Sequence, residues 1–320
     1  MYFFKYKRSI MKMNKKAYFF IDDVIWTFRD IARTKPKSIF DHPFLAALKA
    51  SHDNYGMKVQ LNLFYKTDFF YGHDEFCLTE MPDCYKDEWE ANSDWLRLAF
   101  HARQEFPDYP YVNASYEDVK YDFDRIKKEI VRFAGEKCFA LGVCTHWLPM
   151  SKDGCKALAD SGIKIMSVSV GEKTEYDGNP DSLPYGHSFR LLQNRKPETG
   201  LFTRVSLNAA ITRSICGYNH LTPELANPTY YTCKAHYDEA TGMNFKRMCN
   251  GPVLNLSTFD GLDEEFAPIT DKEFVGYATH EQYFFPEYFL YQTDYADKIE
   301  KAARIISENG YEYVFIEDLV

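Results

Sequence analysis

The chain has 320 residues, enough for one large α/β domain or two smaller ones, and its 45% hydrophobic and 27% charged residues fit an ordinary globular protein. A net charge of −9, without a basic stripe or a Lys/Arg-rich tail, argues against nucleic acid or an anionic membrane surface as the main partner. No run approaches the ~18 consecutive apolar residues of a membrane span, and the basic stretch 1–16 lacks the apolar core of a signal peptide, so it reads as a plain N-terminal extension of a cytoplasmic protein.

The apolar run Ala17-Tyr18-Phe19-Phe20-Ile21 predicts a buried first strand that ends on Asp22-Asp23. Adjacent carboxylates repel each other and resist leaving water, so a strand delivering both needs a partner for them. A divalent metal serves: one Asp can ligate it while its neighbour works as a base. Taken alone, an Asp-Asp pair more often marks a solvated turn or a helix cap.

Asp41 can cap a helix through about residue 54, with Pro43 tolerated in its first turn. Gly56 ends it, and Met57 to Leu63 alternates as a second strand. Residues 64–91 are aromatic, acidic and aperiodic, and read as a long loop. Trp95 to Phe100 predicts a strand ending on His101. Ser115-x-x-Asp118 is a capping box for a helix over 116–134 that Gly135 stops. Cys138 to Cys144 predicts a strand ending at Thr145-His146-Trp147. Ser151 starts a short helix, Gly162 stops it, and Ile163 to Val170 is a further strand.

The rhythm then breaks. Residues 171–270 carry the turn signals Asp177-Gly178, Asn179-Pro180, Asn227-Pro228 and Asn250-Gly251-Pro252 around short β-like runs, Leu201 to Leu207 and Val253 to Leu256. A hundred residues is too long for a plain loop, so an inserted β-rich subdomain or arm is expected, able to cover the site or to mediate a homo-oligomer. Its Cys216, His220, Cys233, His236 and Cys249 have the composition of zinc ligands but no standard finger spacing. The eight cysteines as a whole do not make a disulfide scaffold. Order returns with a strand from Glu273 to Thr279 leading to His280, an amphipathic helix over 294–309, Gly310, and a last strand from Tyr311 to Ile316.

Strand–helix alternation over most of the chain argues for parallel strands covered by helices, either a barrel or an open sheet. In barrels chemistry collects at the C-terminal strand ends. Asp22, Asp23, His101, His146 and His280 all fall there, five residues at four strand ends. His101 and Glu105 are also four apart, which on a helical turn would put both on one face, able to grip an ion with Asp23.

In this order of elements the chain resembles the polysaccharide deacetylases of carbohydrate esterase family 4. That family opens with a strand ending in two aspartates, a catalytic base and then a metal ligand, matched by Phe20-Ile21-Asp22-Asp23. Its His-x-x-x-His metal pair has its counterpart in His101-x-x-x-Glu105. Its strand ending in a catalytic histidine, followed by a helix and a short strand after a Gly-Tyr turn, is matched by Thr279-His280, 294–309 and Gly310-Tyr311. The resemblance spans 15–170 and 270–320. Its second metal histidine is Glu105 here, its Arg/Pro-rich motif is replaced by Thr145-His146-Trp147-Leu148-Pro149, and its Asp-Trp motif is missing. It implies a distorted seven-stranded deacetylase-type (β/α) barrel over 17–320, interrupted by the insertion.

The resemblance also implies a metal-dependent hydrolase that removes an acetyl or other acyl group from an amide or ester of a carbohydrate-type substrate. One divalent ion, zinc foremost and Mn, Fe or Co also compatible, would be held by Asp23, His101 and Glu105. Asp22 would be the base and His280 the acid toward the leaving group. His146, beside Trp147, could orient the base, bind substrate or be a further ligand. Two alternatives stand beside this: a catalytically inactive carbohydrate- or partner-binding barrel, and a C–N hydrolase of a small non-sugar amide.

Overall fold

Strand β1 (Lys16–Val24) is buried at every position after its first, because neighbours cover it on both edges and both faces. A computed structural model of the protein describes residues 14–67, 75–105, 110–111, 114–148, 150–168 and 221–320. On one edge β1 runs parallel to the late strand Phe274–His280, from Lys16 opposite Phe274 to Asp22 opposite His280. On the other it pairs parallel with β2 (Val59–Phe64). After β3 (Lys66–Thr67) and β4 (Phe76–Cys77), a small antiparallel hairpin, the next long strand is β5 (Leu96–Ala102), parallel to β2.

From β5 the ring continues through a parallel bridge, Leu98 to Phe139, into β6 (Gly142–Val143). That strand pairs parallel with β7 (Ile165–Ser167). The hairpin of β8 (His236–Asp238) and β9 (Met243–Lys246) follows, with β9 parallel to β7. Beyond β9 the chain meets the late strand, here β10: the N–H groups of Asn250 and Gly251 donate to Gly276 O, and Val253 bridges Ala278. Seven parallel strands thus lie in two sheets, β10-β1-β2-β5 and β6-β7-β9, which the Leu98–Phe139 bridge on one side and residues 250–253 on the other join into an interrupted ring. Gly276 permits that closure, since a Cβ there would stand 1.7 Å from the Met248 carbonyl oxygen. A last strand, β11 (Glu312–Tyr313), pairs with the start of β1.

The covering helices are α1 (Trp26–Thr34), α2 (Pro43–Tyr55), α3 (Lys86–Ala91), α4 (Tyr116–Ala134), α5 (Lys152–Asp160), α6 (Pro223–Thr232), α7 (Leu262–Phe266) and α8 (Tyr295–Glu308). α4 has the expected bounds: Ser115 Oγ accepts from Asp118 N–H and the Asp118 carboxylate accepts from Ser115 N–H, closing the box. Alternation along β1 sorts the core into two parts. Phe19 and Ile21 join the large cluster with Phe28, Phe44, Leu48, Ile299 and Ile306, whereas Tyr18 and Phe20 join Cys144, Ile165, Met248, Ala278 and Ile316 in a second, smaller cluster. Each fully buried Phe or Ile contributes ~1.5–3 kcal/mol, so helix cover stabilises the ring strongly. Ile316 packs on Gly142, where a Cβ would lie 2.1 Å from its Cγ2. Beside it the Glu317 carboxylate accepts from Arg97 Nη1 (2.9 Å) and Leu141 N–H (3.1 Å).

Several expectations need redrawing. The strand expected over 138–144 is only two residues long, after a 3-10 turn at Glu136–Cys138. The last strand is likewise short and gives way to a 3-10 turn at Ile316–Leu319. Of the arm expected over 171–270, residues 171–220, with the run Leu201 to Leu207, Cys216 and His220, lie outside the described residues, as do 1–13 of the N-terminal extension. The described remainder, 221–270, holds α6, the β8–β9 hairpin and α7, with β9 paired to β7. Cys233, His236 and Cys249 form no metal-holding group among the described residues, and the described cysteines are all free. No helix among the described residues is long and apolar enough to cross a membrane.

Candidate metal centre

The two aspartates avoid the strand's alternation by a break in register. Pairing of β1 with β2 shifts between Ile21 and Val24, and Asp23 takes a left-handed backbone, φ 62°. For a non-glycine residue that conformation costs ~1–2 kcal/mol and persists where its surroundings hold it. Both carboxylates consequently reach the same histidine. His101, near the end of β5, has Nε2 3.0 Å from Asp23 Oδ1 and Nδ1 3.7 Å from Asp22 Oδ1.

His146 joins them from the turn after β6, with Nδ1 3.2 Å from the same Asp23 oxygen. That turn is also strained: Trp147 and Leu148 are left-handed at φ 60° and 71°. It is closed by Leu148 N–H donating to Thr145 O (2.8 Å) and Thr145 Oγ1 donating to Leu148 O (2.9 Å). Trp147 sets its ring edge-on to His146 at 6.0 Å, and Phe64 packs against both imidazoles at 5.3 and 5.0 Å.

One ligand atom each from Asp23, His101 and His146 lies within 4.8 Å of the other two, and all three residues are buried, at 5%, 2% and 4% exposure. The outward nitrogen of each imidazole is occupied by a carbonyl. His101 Nδ1 donates to Cys144 O (2.6 Å), and His146 Nε2 donates to Glu105 O (3.0 Å). That fixes which nitrogen of each ring faces inward, and once deprotonated that nitrogen offers the lone pair a metal ligand needs. One carboxylate and two imidazoles converging in this way fit zinc or a similar divalent ion.

Electrostatics agree. Burial would push Asp23 up, but the hydrogen bonds from His101 and His146 outweigh it and hold the carboxyl well below its ordinary range. Burial works against a charged His101, yet Asp22 and Asp23 together raise it to about 9. Burial pushes Asp22 up, opposed by His101 and His280. Asn62 Nδ2 donates to Asp22 Oδ1 (2.6 Å), and Cys144 Sγ lies 3.9 Å from Asp22 Oδ2.

Glu105 is placed differently from the expectation. Its carboxylate is not in the three-residue group: Oε2 accepts from Gln282 Nε2 at 3.2 Å, and the backbone carbonyl serves His146. The helical-turn reading of His101-x-x-x-Glu105 fails because the backbone is strand through Ala102 and no helical turn spans 101–105, so the chain carries the two side chains apart. His146 stands in that group instead. Asp23, Trp26, Phe64, Lys66, Glu105 and Gln282 line a small cavity beside the group.

His280 ends β10 opposite Asp22, as its strand-end placement implied. Its Nδ1 donates to Asn255 Oδ1 (3.0 Å), which also accepts from Thr279 Oγ1 (3.2 Å), while Gln292 Nε2 donates to Asn255 O (2.8 Å). Asn255, Gln282 and Asn62 were not singled out from the sequence. Asn62 had a signal: with Gln60 it places polar side chains at every second position of an apolar strand, and Gln60 Nε2 donates to Asn62 Oδ1 at 2.7 Å.

No family model matches the chain, and no curated protein matches it. Among solved structures, a 4-alpha-glucanotransferase from Thermococcus litoralis aligns with TM-score 0.49 and 12% identity over 96% of this chain, which spans only 40% of that enzyme's length. A CE4 esterase from Streptococcus mutans aligns with TM-score 0.44 and 10% identity, over 94% of this chain and 85% of that one. A family 4 acetyl xylan esterase from Clostridium thermocellum, in complex with a cobalt ion, aligns with TM-score 0.41 and 8% identity, over 95% and 90%. The chain is similar in structure to esterases of carbohydrate esterase family 4. All three scores lie under 0.5, and the reading of the site rests on its own geometry.

Proposed function

We propose that the chain is a metal-dependent hydrolase that removes an acyl group, acetyl foremost, from an amide or ester of a carbohydrate-type substrate. One observation carries the reading: two imidazoles, each with its outer nitrogen held by a carbonyl, converge on Asp23 Oδ1 beside a second buried carboxylate, Asp22. A pair of buried aspartates with two histidines is costly to maintain for packing alone.

A divalent ion held by Asp23, His101 and His146 would supply Lewis-acid polarisation of the substrate carbonyl and a positive charge for the oxygen that becomes negative. Asp22, oriented by Asn62, takes the proton of the attacking water. Burial lifts it above its ordinary range and so makes it a better base than an exposed aspartate. His280, with Nδ1–H fixed on Asn255, presents Nε2 and its proton to the leaving amine or alcohol.

The ligand assignment is tested by metal stoichiometry after dialysis, together with hydrolysis of acetylated sugars, acetate esters and small amides. His146→Ala should weaken metal binding by ~10²-fold or more, whereas Glu105→Gln, which leaves the carbonyl on His146 intact, should retain the ion. The reverse outcome would return Glu105 to the ligand set. A metal-loaded parent that hydrolyses none of these substrates would favour a carbohydrate- or partner-binding barrel.

Asn255 supplies a second test. Asn255→Leu removes the acceptor that holds the His280 tautomer and should lower kcat by ~10-fold or more, part of the ~10²–10⁴-fold that general acid catalysis contributes. Metal content should not change, and loss of the ion in this variant would place Asn255 in support of the metal group instead.

A further inference from the structure

Glu281 follows His280 directly and is completely buried, yet it belongs to neither the metal group nor the acid–base pair. Its carboxylate reaches across to the chain that leaves β1. Oε2 accepts from Ile25 N–H (2.7 Å) and Trp26 N–H (2.8 Å), and Oε1 accepts from Thr27 N–H (2.9 Å). These are the first free donors of α1, whose own N-cap residue, Ile25, offers no side-chain acceptor. An acidic group at this end also meets the positive pole of the helix.

A helix cap is ordinarily supplied from within the turn that precedes the helix. Here it comes from 256 residues away, from the first residue after the strand that ends on His280. The residues it grips begin two positions after Asp23, the one non-glycine residue of β1 held in a left-handed backbone. The pairing of β1 with β2 lapses from Asp22 to Asp23. The neighbours of Glu281 grip other parts of the mouth, Thr279 and His280 at the end of β10 through Asn255, and Gln282 in the 3-10 turn after it through the Glu105 carboxylate.

From this geometry we infer that Glu281 is a positioning residue, which by binding the N–H groups of Ile25, Trp26 and Thr27 holds the left-handed turn that aims Asp23 between His101 and His146. The inference rests on the reading of Asp23, His101 and His146 as metal ligands. It makes the strand ends of β1 and β10 one rigid unit, so that ligand and acid keep their separation. Glu281 touches neither substrate nor ion.

The test uses the full chain, Glu281→Gln and Glu281→Asp, each titrated with Co²⁺ while visible absorption is recorded, with amide exchange followed at Ile25, Trp26 and Thr27. Glu281→Gln turns an amide N–H toward a backbone N–H. It should speed exchange at these three positions, weaken Co²⁺ by ~10–100-fold, as loss of supporting contacts does in other metal sites, and shift the absorption bands. Glu281→Asp keeps the buried charge but withdraws it by one methylene. It should show the same changes to a smaller degree, and it alone decides the matter if the Gln variant does not fold. Variants that keep the parent's Co²⁺ affinity and spectrum, with only a lower Tm, would reduce Glu281 to a helix cap and overturn the inference. A parent that binds no Co²⁺ would overturn the metal reading instead. In that event unchanged exchange at the three amides would also show that Glu281 does not hold the turn.

Discussion

Replacing Asp23 with alanine should remove the ion and the activity together, the largest effect of any single change in the site. Both imidazoles aim at one oxygen of this side chain, so its loss leaves two buried rings, 5.2 Å apart between centroids, with no anion between them. Metal affinity should fall by ~10²-fold or more. The stability of the apo protein should fall as well, because His101 is raised to about 9 chiefly by Asp22 and Asp23, and without one of them a protonated His101 is less well compensated. Asp23→Asn is the companion variant: it keeps the shape, tolerates the left-handed backbone, and should lose the ion too. Metal content by mass spectrometry of the dialysed protein, read beside hydrolysis rate, gives the answer. Retention of a full equivalent of metal by either variant would remove Asp23 from the ligand set.

Asp22→Asn should give the opposite pairing of results, a kcat lower by ~10²-fold or more with metal content unchanged. The amide fills the same space, and its oxygen can still accept from Asn62 Nδ2, so the pocket has no reason to rearrange. What it cannot do is take a proton. His280→Ala should likewise lower kcat with the ion in place, since His280 lies across the register from Asp22 and its ring is tied to Asn255 rather than to the metal group. If Asp22→Asn strips the metal while Asp23→Ala retains it, the two aspartates have exchanged roles.

The features legible in the sequence were local. The capping box at Ser115 and Asp118 and the stop at Gly135 settle α4 within the segment itself. Apolar runs closed by Asp22-Asp23, His101, His146 and His280 announce strands and mark which end carries chemistry. What was not legible depends on partners distant along the chain. Whether the His146 imidazole or the Glu105 carboxylate stands beside Asp23 and His101 turns on how far β5 extends before the chain bends, and here His146 stands there while Glu105 turns to Gln282. That β9 fills a ring position is invisible in its four residues, because it is set by pairing with β7 and by the close approach of Met248 to Gly276. The contacts of Asn255 with His280 and of Glu281 with Ile25 span 25 and 256 positions, and neither residue has a local pattern that would flag it.

The pairing of β1 has a consequence for the order in which the molecule can assemble. Lys16 lies opposite Phe274 on one edge and Glu312 on the same strand's opening stretch. The first ring strand to leave the ribosome therefore waits for the last before either of its edges is complete, and non-local pairing of this kind is slow because the loop must close before contacts reward it. In the interval β1 and β2 can pair, but β1 keeps an open, strongly apolar edge, and the Asp22-Asp23 end has neither His280 nor Glu281 beside it. Asp23, His101 and His146 lie on β1, on β5 and after β6, so they can approach one another before β10 arrives, whereas the Glu281 contacts to Ile25, Trp26 and Thr27 form only with it.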